Sequence, residues 1–292
     1  MFVAVGLFNL VIAVLILLFL PNTPETTSWL SEAEKIHIRE RLALDQAGTG
    51  RKVFQKMALM EVLFDVHVWI LFILTILIVI PSGVITTFSA TLIKGFGYDS
   101  KSAALLNIPS GAVSIIATLS CTYAILVDFP RWLGIVLLMV PTLIGAGLMS
   151  FYDGTQAGVL AGIYLINFVV APLALVYALA GVNTQGYTKK VAVNAVVAVG
   201  FGIANIIGPQ TFLSWEAPGY ISAKITIFAV NGAVIVVAIM LRLLYGWRNR
   251  QRIKERQAEL DALSSGRIDV RMLEKLEGED TDVRNKAFVY VY

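Results

Sequence analysis

The sequence predicts an all-α membrane protein: a bundle of six spanning helices with one more helix before it. Three observations predict this class. Six apolar stretches of about 19–24 residues follow one another, and a seventh begins at residue 1; each can cross a hydrocarbon core of roughly 30 Å at about 1.5 Å per residue. The chain of 292 residues is 57% hydrophobic and 15% charged, with a mean hydropathy of +0.76, well outside the composition of soluble domains. The spans also recur in threes. Those at about 1–20, 133–151 and 225–245 are nearly plain hydrocarbon, whereas 66–88 with 104–126, and 158–181 with 191–213, carry Asn, Ser, Thr, Pro and Gly. That period fits a transporter assembled from three-helix repeats, with two helices of each triplet lining a cavity and the third facing lipid. The first plain span lacks its two polar partners.

Residues 1–20 are a transmembrane helix rather than a signal peptide. No Lys or Arg precedes position 35, and the run ends in Leu20-Pro21-Asn22 without a small-residue cleavage site. Residues 21–65 form a connecting loop. Within it Ser31 and Glu34 make a capping box that opens a charged helix from Glu32 to about Leu44, and Ala47-Gly48-Thr49-Gly50 ends that helix. Val53, Met57, Met60, Leu63 and Phe64 recur at helical spacing, so 53–64 reads as a helix lying along the membrane surface. Residues 66–245 hold the six spans, which must be helical because a bilayer offers the backbone no other partner. The tail, 246–292, starts with Trp247 and a basic helix to about Leu263, and its stretch 277–286 reads as disordered. The basic run anchors topology or meets anionic lipid. The lone cysteine, Cys121, excludes an internal disulfide.

Orientation follows from Lys and Arg near the span ends. Segment 21–65 carries Lys35, Arg39, Arg41, Arg51, Lys52 and Lys56, and the last span is followed by Arg248, Arg250, Arg252, Lys254 and Arg256. Alternate loops are richer in positive charge, so 21–65, 127–132, 182–190 and the tail are expected in the cytoplasm, with Met1 on the far side. That start is easier to explain if more helices precede it.

No Asp, Glu, Lys or Arg lies in the middle of a span, and His67 at the first turn of its span is expected at the interface. Proton relays usually leave an ionisable residue inside the membrane, and these spans offer none. Neutral polarity remains. Asn107, Gly111, Ser114, Thr118 and Thr122 share one helical face, and so do Asn194, Ala198, Phe201, Asn205 and Gly208. Such stripes serve helix packing, alone or together with cavity lining; the sequence leaves both open. Pro81 and Pro172 fall at corresponding depths of the first helix in each triplet, which predicts paired breaks near a substrate site, with Ser82, Thr86, Thr87 and Asn167 close by.

Asn183-Thr184-Gln185-Gly186-Tyr187-Thr188-Lys189-Lys190-Val191-Ala192-Val193-Asn194-Ala195, followed by Gly202-Ile203-Ala204-Asn205-Ile206-Ile207-Gly208-Pro209-Gln210-Thr211-Phe212, resembles the fungal organic-anion permeases. These are the allantoate-permease-like branch of the anion:cation symporter family, in the major facilitator superfamily. Leu20-Pro21-Asn22-Thr23-Pro24 with Trp29-Leu30-Ser31-Glu32, Ser82-Gly83-Val84-Ile85-Thr86-Thr87-Phe88 with Ile93-Lys94-Gly95-Phe96-Gly97-Tyr98, and Asp280-Thr281-Asp282 with Asn285-Lys286 agree with it. The resemblance implies a major-facilitator-type helical bundle, here the C-terminal six-helix half plus one preceding helix, with five helices before residue 1. It implies a secondary transporter of a small organic anion or amide (a vitamin or ureide), coupled to protons, multi-pass in the lipid bilayer, and in the plasma membrane rather than a vacuolar or other internal one. The substrate-cavity candidates are Ser82, Thr86, Asn107, Ser114, Thr118, Asn167, Asn194 and Asn205. Asp128 and Arg131 are what remains of the family's basic turn, here Val127-Asp128-Phe129-Pro130-Arg131, and Lys189 and Lys190 compensate by facing the same cytoplasm.

Rival readings are a non-transporting half, or a regulatory partner of a second half or a full-length carrier. A seven-helix receptor is disfavoured by its 45-residue first inside loop and by the lack of an Asp-Arg-Tyr end to the third span. An enzyme lacks support, with no nucleophile–base pair and no metal cluster; no cofactor, metal or nucleic-acid partner is expected.

Overall fold

The computed structural model describes residues 2–21, 27, 29–44, 54–95, 97–152, 154–211, 213–216, 220–264, 281–285 and 288–292. They form two compact units, Met1–Arg51 and Lys52–Tyr292. Every regular element among them is helical.

The first unit holds α1 (Phe2–Phe19) and α2 (Glu32–Leu44). α1 is apolar throughout, and its one amide, Asn9, donates to the Val5 carbonyl at 2.9 Å rather than disturbing the ladder. The predicted capping box opens α2. The Ser31 amide donates to Glu34 Oε2 at 2.9 Å, and the Glu34 amide faces Ser31 Oγ at 3.4 Å. The Gly-rich stop at 47–50 lies outside the described residues.

The second unit begins with α3 (Lys56–Phe64), whose Ala58 and Val62 are buried. Met57, Met60, Leu63 and Phe64 are all exposed; Val53 lies outside the described residues. The spans follow: α4 (Val66–Lys94), α5 with α6 (Ser100–Leu106, Ile108–Leu126), α7 (Arg131–Phe151), α8 with α9 (Gln156–Ile166, Pro172–Val182), α10 (Tyr187–Gln210) and α11 (Ile221–Ser264). Among the described residues six are long and apolar enough to cross a membrane. The basic helix predicted after the last span is the direct continuation of α11, which runs 44 residues.

Lipid tails are as apolar as leucine, so helices here associate by close packing rather than by expelling water. Glycine makes that packing possible. A Cβ on Gly145 of α7 would sit 2.7 Å from the Gly162 carbonyl oxygen of α8, so the two backbones touch. α10 meets α4 in the same way, with Gly208 against the Ile80 carbonyl at 3.0 Å. The main core joins Leu71, Leu74 and Ile78 of α4 to Ile135 and Met139 of α7, Val193 and Val197 of α10, and Val234 and Ala238 of α11. The third plain span is not wholly plain: Asn231 is fully buried on α11, and neither its Oδ1 nor its Nδ2 has a partner.

The predicted paired breaks are half realised. Before Pro172 the span tightens into a 3₁₀ turn, Asn167–Val170, because proline cannot donate to the preceding turn. Pro81 lies inside an unbroken α4. An unpredicted break falls at Asn107, between α5 and α6. There Tyr164 of α8 donates to the freed Leu106 carbonyl at 2.6 Å.

Candidate functional site

Two polar regions are present, and they differ in chemistry. The first is the neutral stripe foreseen from spacing. α6 is the least covered of the six spans, 17% buried against 61% for α4. Gly111, Thr118 and Thr122 are exposed on it and Ser114 is half-buried, while Ser110, Ala117 and Cys121 face the bundle. On α10, Asn205 and Ala198 are exposed and Asn194 is half-buried. Nearly every candidate bonds to its own helix. Ser114 donates to the Ser110 carbonyl (3.0 Å), Thr118 to Ser114 (2.8 Å), Asn167 to Ile163 (2.8 Å), Asn194 to Lys190 (2.9 Å) and Asn205 to Phe201 (2.9 Å). Asn107 Oδ1 accepts from Ser110 Oγ at 3.1 Å. Such back-bonding satisfies a hydroxyl or amide in an apolar setting while leaving its oxygen free to accept another bond.

These candidates fall in two places. Ser82 lies beside Gly83, which faces Asn205: a Cβ there would be 3.5 Å from Asn205 Oδ1. Asn167 is buried in the 3₁₀ turn, next to Ala171, whose carbonyl is 3.7 Å from Cys121 Sγ of α6. The Thr86 and Thr87 side chains lie outside the described residues.

The second region is ionic and lies at one end of the bundle. Asp65 caps α4, accepting the His67 amide at 3.1 Å, where the positive end of the helix also favours its charge. Lys189, in the first turn of α10, is completely buried. Its Nζ lies 2.9 Å from Asp65 Oδ2 and 2.9 Å from Asp282 Oδ1. Arg248 of α11 reaches Asp65 Oδ1 at 2.6 Å. Two cations thus meet two carboxylates, and Arg284 with Glu61 (2.6 Å) adds a pair at the rim. Burial opposes ionisation of Asp65, but Lys189 and Arg248 together outweigh it and hold the carboxyl at about 2. Asp282 shifts the other way: burial pushes it up, Lys189 pulls it down less strongly, and the Asp65 charge adds repulsion. Asp65, His67 and Asp282 have the donor types and closeness of a metal site, but the Lys189 ammonium already stands between the two carboxylates.

Aromatic rings floor this cluster. His67, fully buried, has Nε2 2.9 Å from the Tyr245 hydroxyl, and Tyr245 stacks on Tyr290 at 5.6 Å. The Tyr290 hydroxyl donates to Asp282 Oδ2 at 3.1 Å. Residues 281–285 are therefore packed and not disordered, because buried charge and aromatic partners hold them; 277–280 and 286 lie outside the described residues. Lys189 likewise does not face solvent, whereas Lys190 is half-buried. Asp128 is exposed in a turn with φ +51°, and the Arg131 amide donates to the Tyr292 carbonyl at 2.9 Å.

Four segments expected on one side of the membrane (around 65, 131, 183–190 and 248–252) all touch residues 281–292 or their immediate partners, so they do share one end of the bundle. Sequence reasoning missed Asp65, Asn183, Tyr245, Asn249, Asp282 and Tyr290. The usable signal was the alternation Phe288-Val289-Tyr290-Val291-Tyr292, a period-two pattern placed after a mobile-looking polar run.

The chain is similar along 99% of its length to the allantoate permease of Saccharomyces cerevisiae (31% identical, 54% of that protein covered). It is similar along its whole length to the thiamine pathway transporter of the same yeast (30% identical, 54% covered). An MFS-type transporter of Penicillium expansum is 31% identical over 84% of the chain, with 50% of that protein covered. The chain spans about half the length of the curated relatives it matches, and the matched part is their C-terminal half. No family model matches the chain, and no solved structure matches it significantly.

Proposed function

Because the chain belongs with the fungal major-facilitator-type transporters and corresponds to their C-terminal half, we propose that it is half of the pathway of a secondary carrier for a small organic anion or amide. The observation that carries this reading is the uncovered polar stripe of α6, with Asn205 and Ser82 where α10 meets α4. A hydroxyl already donating to its own helix presents a fixed acceptor oxygen, and an Asn amide presents one acceptor and one spare N–H. Amide and carboxylic-acid groups are the solutes that such a set can hold without a buried countercharge. Ser114, Thr118, Asn107 and Asn167 line one side in this reading, with Ser82, Asn194 and Asn205 on the other and Thr86 alongside.

Coupling to protons is part of the proposal. The spans hold no central carboxylate, so the coupling group belongs to a portion of the carrier that faces these stripes. Asp128, Arg131 and Lys190 act on the cytoplasmic side while the buried Lys189 holds the 189–190 turn in place, the tail is cytoplasmic, and the plasma membrane is the site of action. The test is uptake of labelled ureides, vitamins and short carboxylic acids by cells expressing the chain joined to the N-terminal half of its S. cerevisiae relative. Saturable uptake of one class, weakened by Asn205→Leu, supports the reading. Normal surface expression without uptake of any of them overturns it.

A second reading has one specific support: the chain spans about half of its relatives' length. Made by itself, it would be a non-transporting half or a partner of a full-length carrier. Uptake by the 292-residue chain alone would reject that.

A further inference from the structure

Residues 281–285 fold as a single turn, and 288–292 bind the bundle as an extended peptide binds a receptor. Asn249 of α11 grips the backbone of Tyr290 from both sides, donating to its carbonyl at 2.8 Å and accepting its amide at 2.9 Å. Asn183, just past α9, does the same for Val291 at 2.9 Å and 2.7 Å. Two side-chain amides thus stand where a neighbouring strand would offer its peptide groups. The side chains alternate accordingly. Phe288 and Tyr290 are each 2% exposed, Val289 is 60% exposed and Val291 is 38% exposed. The acidic end is fixed separately, with Asp282 on Lys189 and the guanidinium of Arg252 on the carbonyls of Asp282, Val283 and Asn285 (2.6–2.9 Å). At the other end the Arg242 guanidinium lies 3.6 Å over the Tyr292 ring.

We propose that this end of the bundle is a peptide-binding groove, and that residues 281–292 are its detachable ligand, bound in cis as a latch. The groove recognises an acidic residue followed, six to ten positions later, by aromatic residues at alternate positions. While seated, the latch ties α11 to the beginnings of α4, α7 and α10. Beyond the single turn at 281–285 the described part of the segment has no helical ladder, so its hold is the sum of side-chain grips: two amide clamps, the Asp282–Lys189 and Arg284–Glu61 ion pairs, the Arg252 bonds to three carbonyls and the buried Phe288 and Tyr290 rings, with one backbone bond from Arg131 to Tyr292. It therefore opens locally, below the threshold at which the helices separate. The inference stands on this geometry alone and does not depend on what the carrier transports.

The test is hydrogen–deuterium exchange on the intact 292-residue chain in detergent, following the Tyr290 and Val291 amides against Val193 and Val197 in the core of α10. The latch predicts protected tail amides that exchange before the α10 amides. Asn249→Ala should speed the tail amides by about tenfold or more, the equivalent of one lost clamp, and leave α10 unchanged. A fluorescent peptide of the 281–292 sequence should bind saturably to the Asn249→Ala chain under the same conditions and fail on a chain that also carries Asn183→Ala. Exchange of the tail only together with α10 would make the segment an integral part of the fold and overturn the proposal. Tail amides with no protection would overturn it equally.

Discussion

The stripe on α6 and the cluster around Lys189 solve the same problem, polar groups in a low-dielectric setting, in opposite ways. On α6 the hydroxyls of Ser114, Thr118 and Thr122 are neutral, bond to their own helix and are half or fully uncovered. Around Lys189 the ion-paired groups are charged and bond to distant parts of the chain, and Lys189, Asp65 and Asp282 are sealed from solvent. The first arrangement costs the fold little and leaves acceptors for something outside the bundle. The second is self-contained, so altering one member strands the others. Function and stability should therefore separate along this line: substitutions on the stripe act on transport, substitutions in the cluster act on folding.

Lys189→Met breaks the comparison most forcefully. It leaves Asp65 and Asp282 buried side by side with only Arg248 as countercharge, and should cost about 3–5 kcal/mol, read as a large fall in thermal midpoint in detergent. Adding Asp282→Asn should restore part of the loss. A Lys189→Met chain as stable as the parent would mean that the cluster is hydrated. Acid is the next largest lever. The folded value of Asp65, about 2, lies below its ordinary 3.8, so the folded state binds fewer protons there than the unfolded state. Its contribution, about 2 kcal/mol, is complete above about pH 4 and lost as pH falls towards 2. Asp282, shifted up, has the opposite sign and loses its share as pH rises; an Asp282→Asn background isolates Asp65. Asp65→Asn should flatten the acid slope.

Smaller changes sharpen the contrast. Tyr290→Phe deletes the hydroxyl that donates to Asp282 and accepts from Arg248, and should cost about 1 kcal/mol. Thr118→Ala removes a hydroxyl bonded only to its own turn and should shift stability by less than about 0.5 kcal/mol. In a complete carrier the same change should raise the substrate concentration needed for half-maximal uptake. If Thr118→Ala destabilised the chain as much as Tyr290→Phe, the division of labour between the two regions would fail.

The parts legible in the sequence were those set by local pattern. Span length and hydropathy locate the six crossings, Ser31 and Glu34 announce α2, and the basic run after Trp247 announces the extension of α11. The stripes on α6 and α10 follow from spacing alone, and most of their residues stay uncovered. What stayed hidden depends on partners far away in the chain. Lys189 and Asp65 are 124 residues apart, and nothing near either names the other. Asp282 sits in a charged run that looks unable to bury itself, and it is buried because Lys189 is waiting for it. Pro81 shows the reverse: a strong local breaker that tertiary packing against α10 holds inside a continuous helix.

α11 carries one more consequence. Its apolar stretch ends near Tyr245, and the same unbroken helix continues to Ser264, so about 28 Å of helix extends beyond the apolar stretch. A rod turns angle into distance. A change of 10° in the tilt of this helix, as a thinner or thicker bilayer imposes, swings its far end by about 5 Å. Bilayer thickness would then register as mechanical displacement outside the membrane.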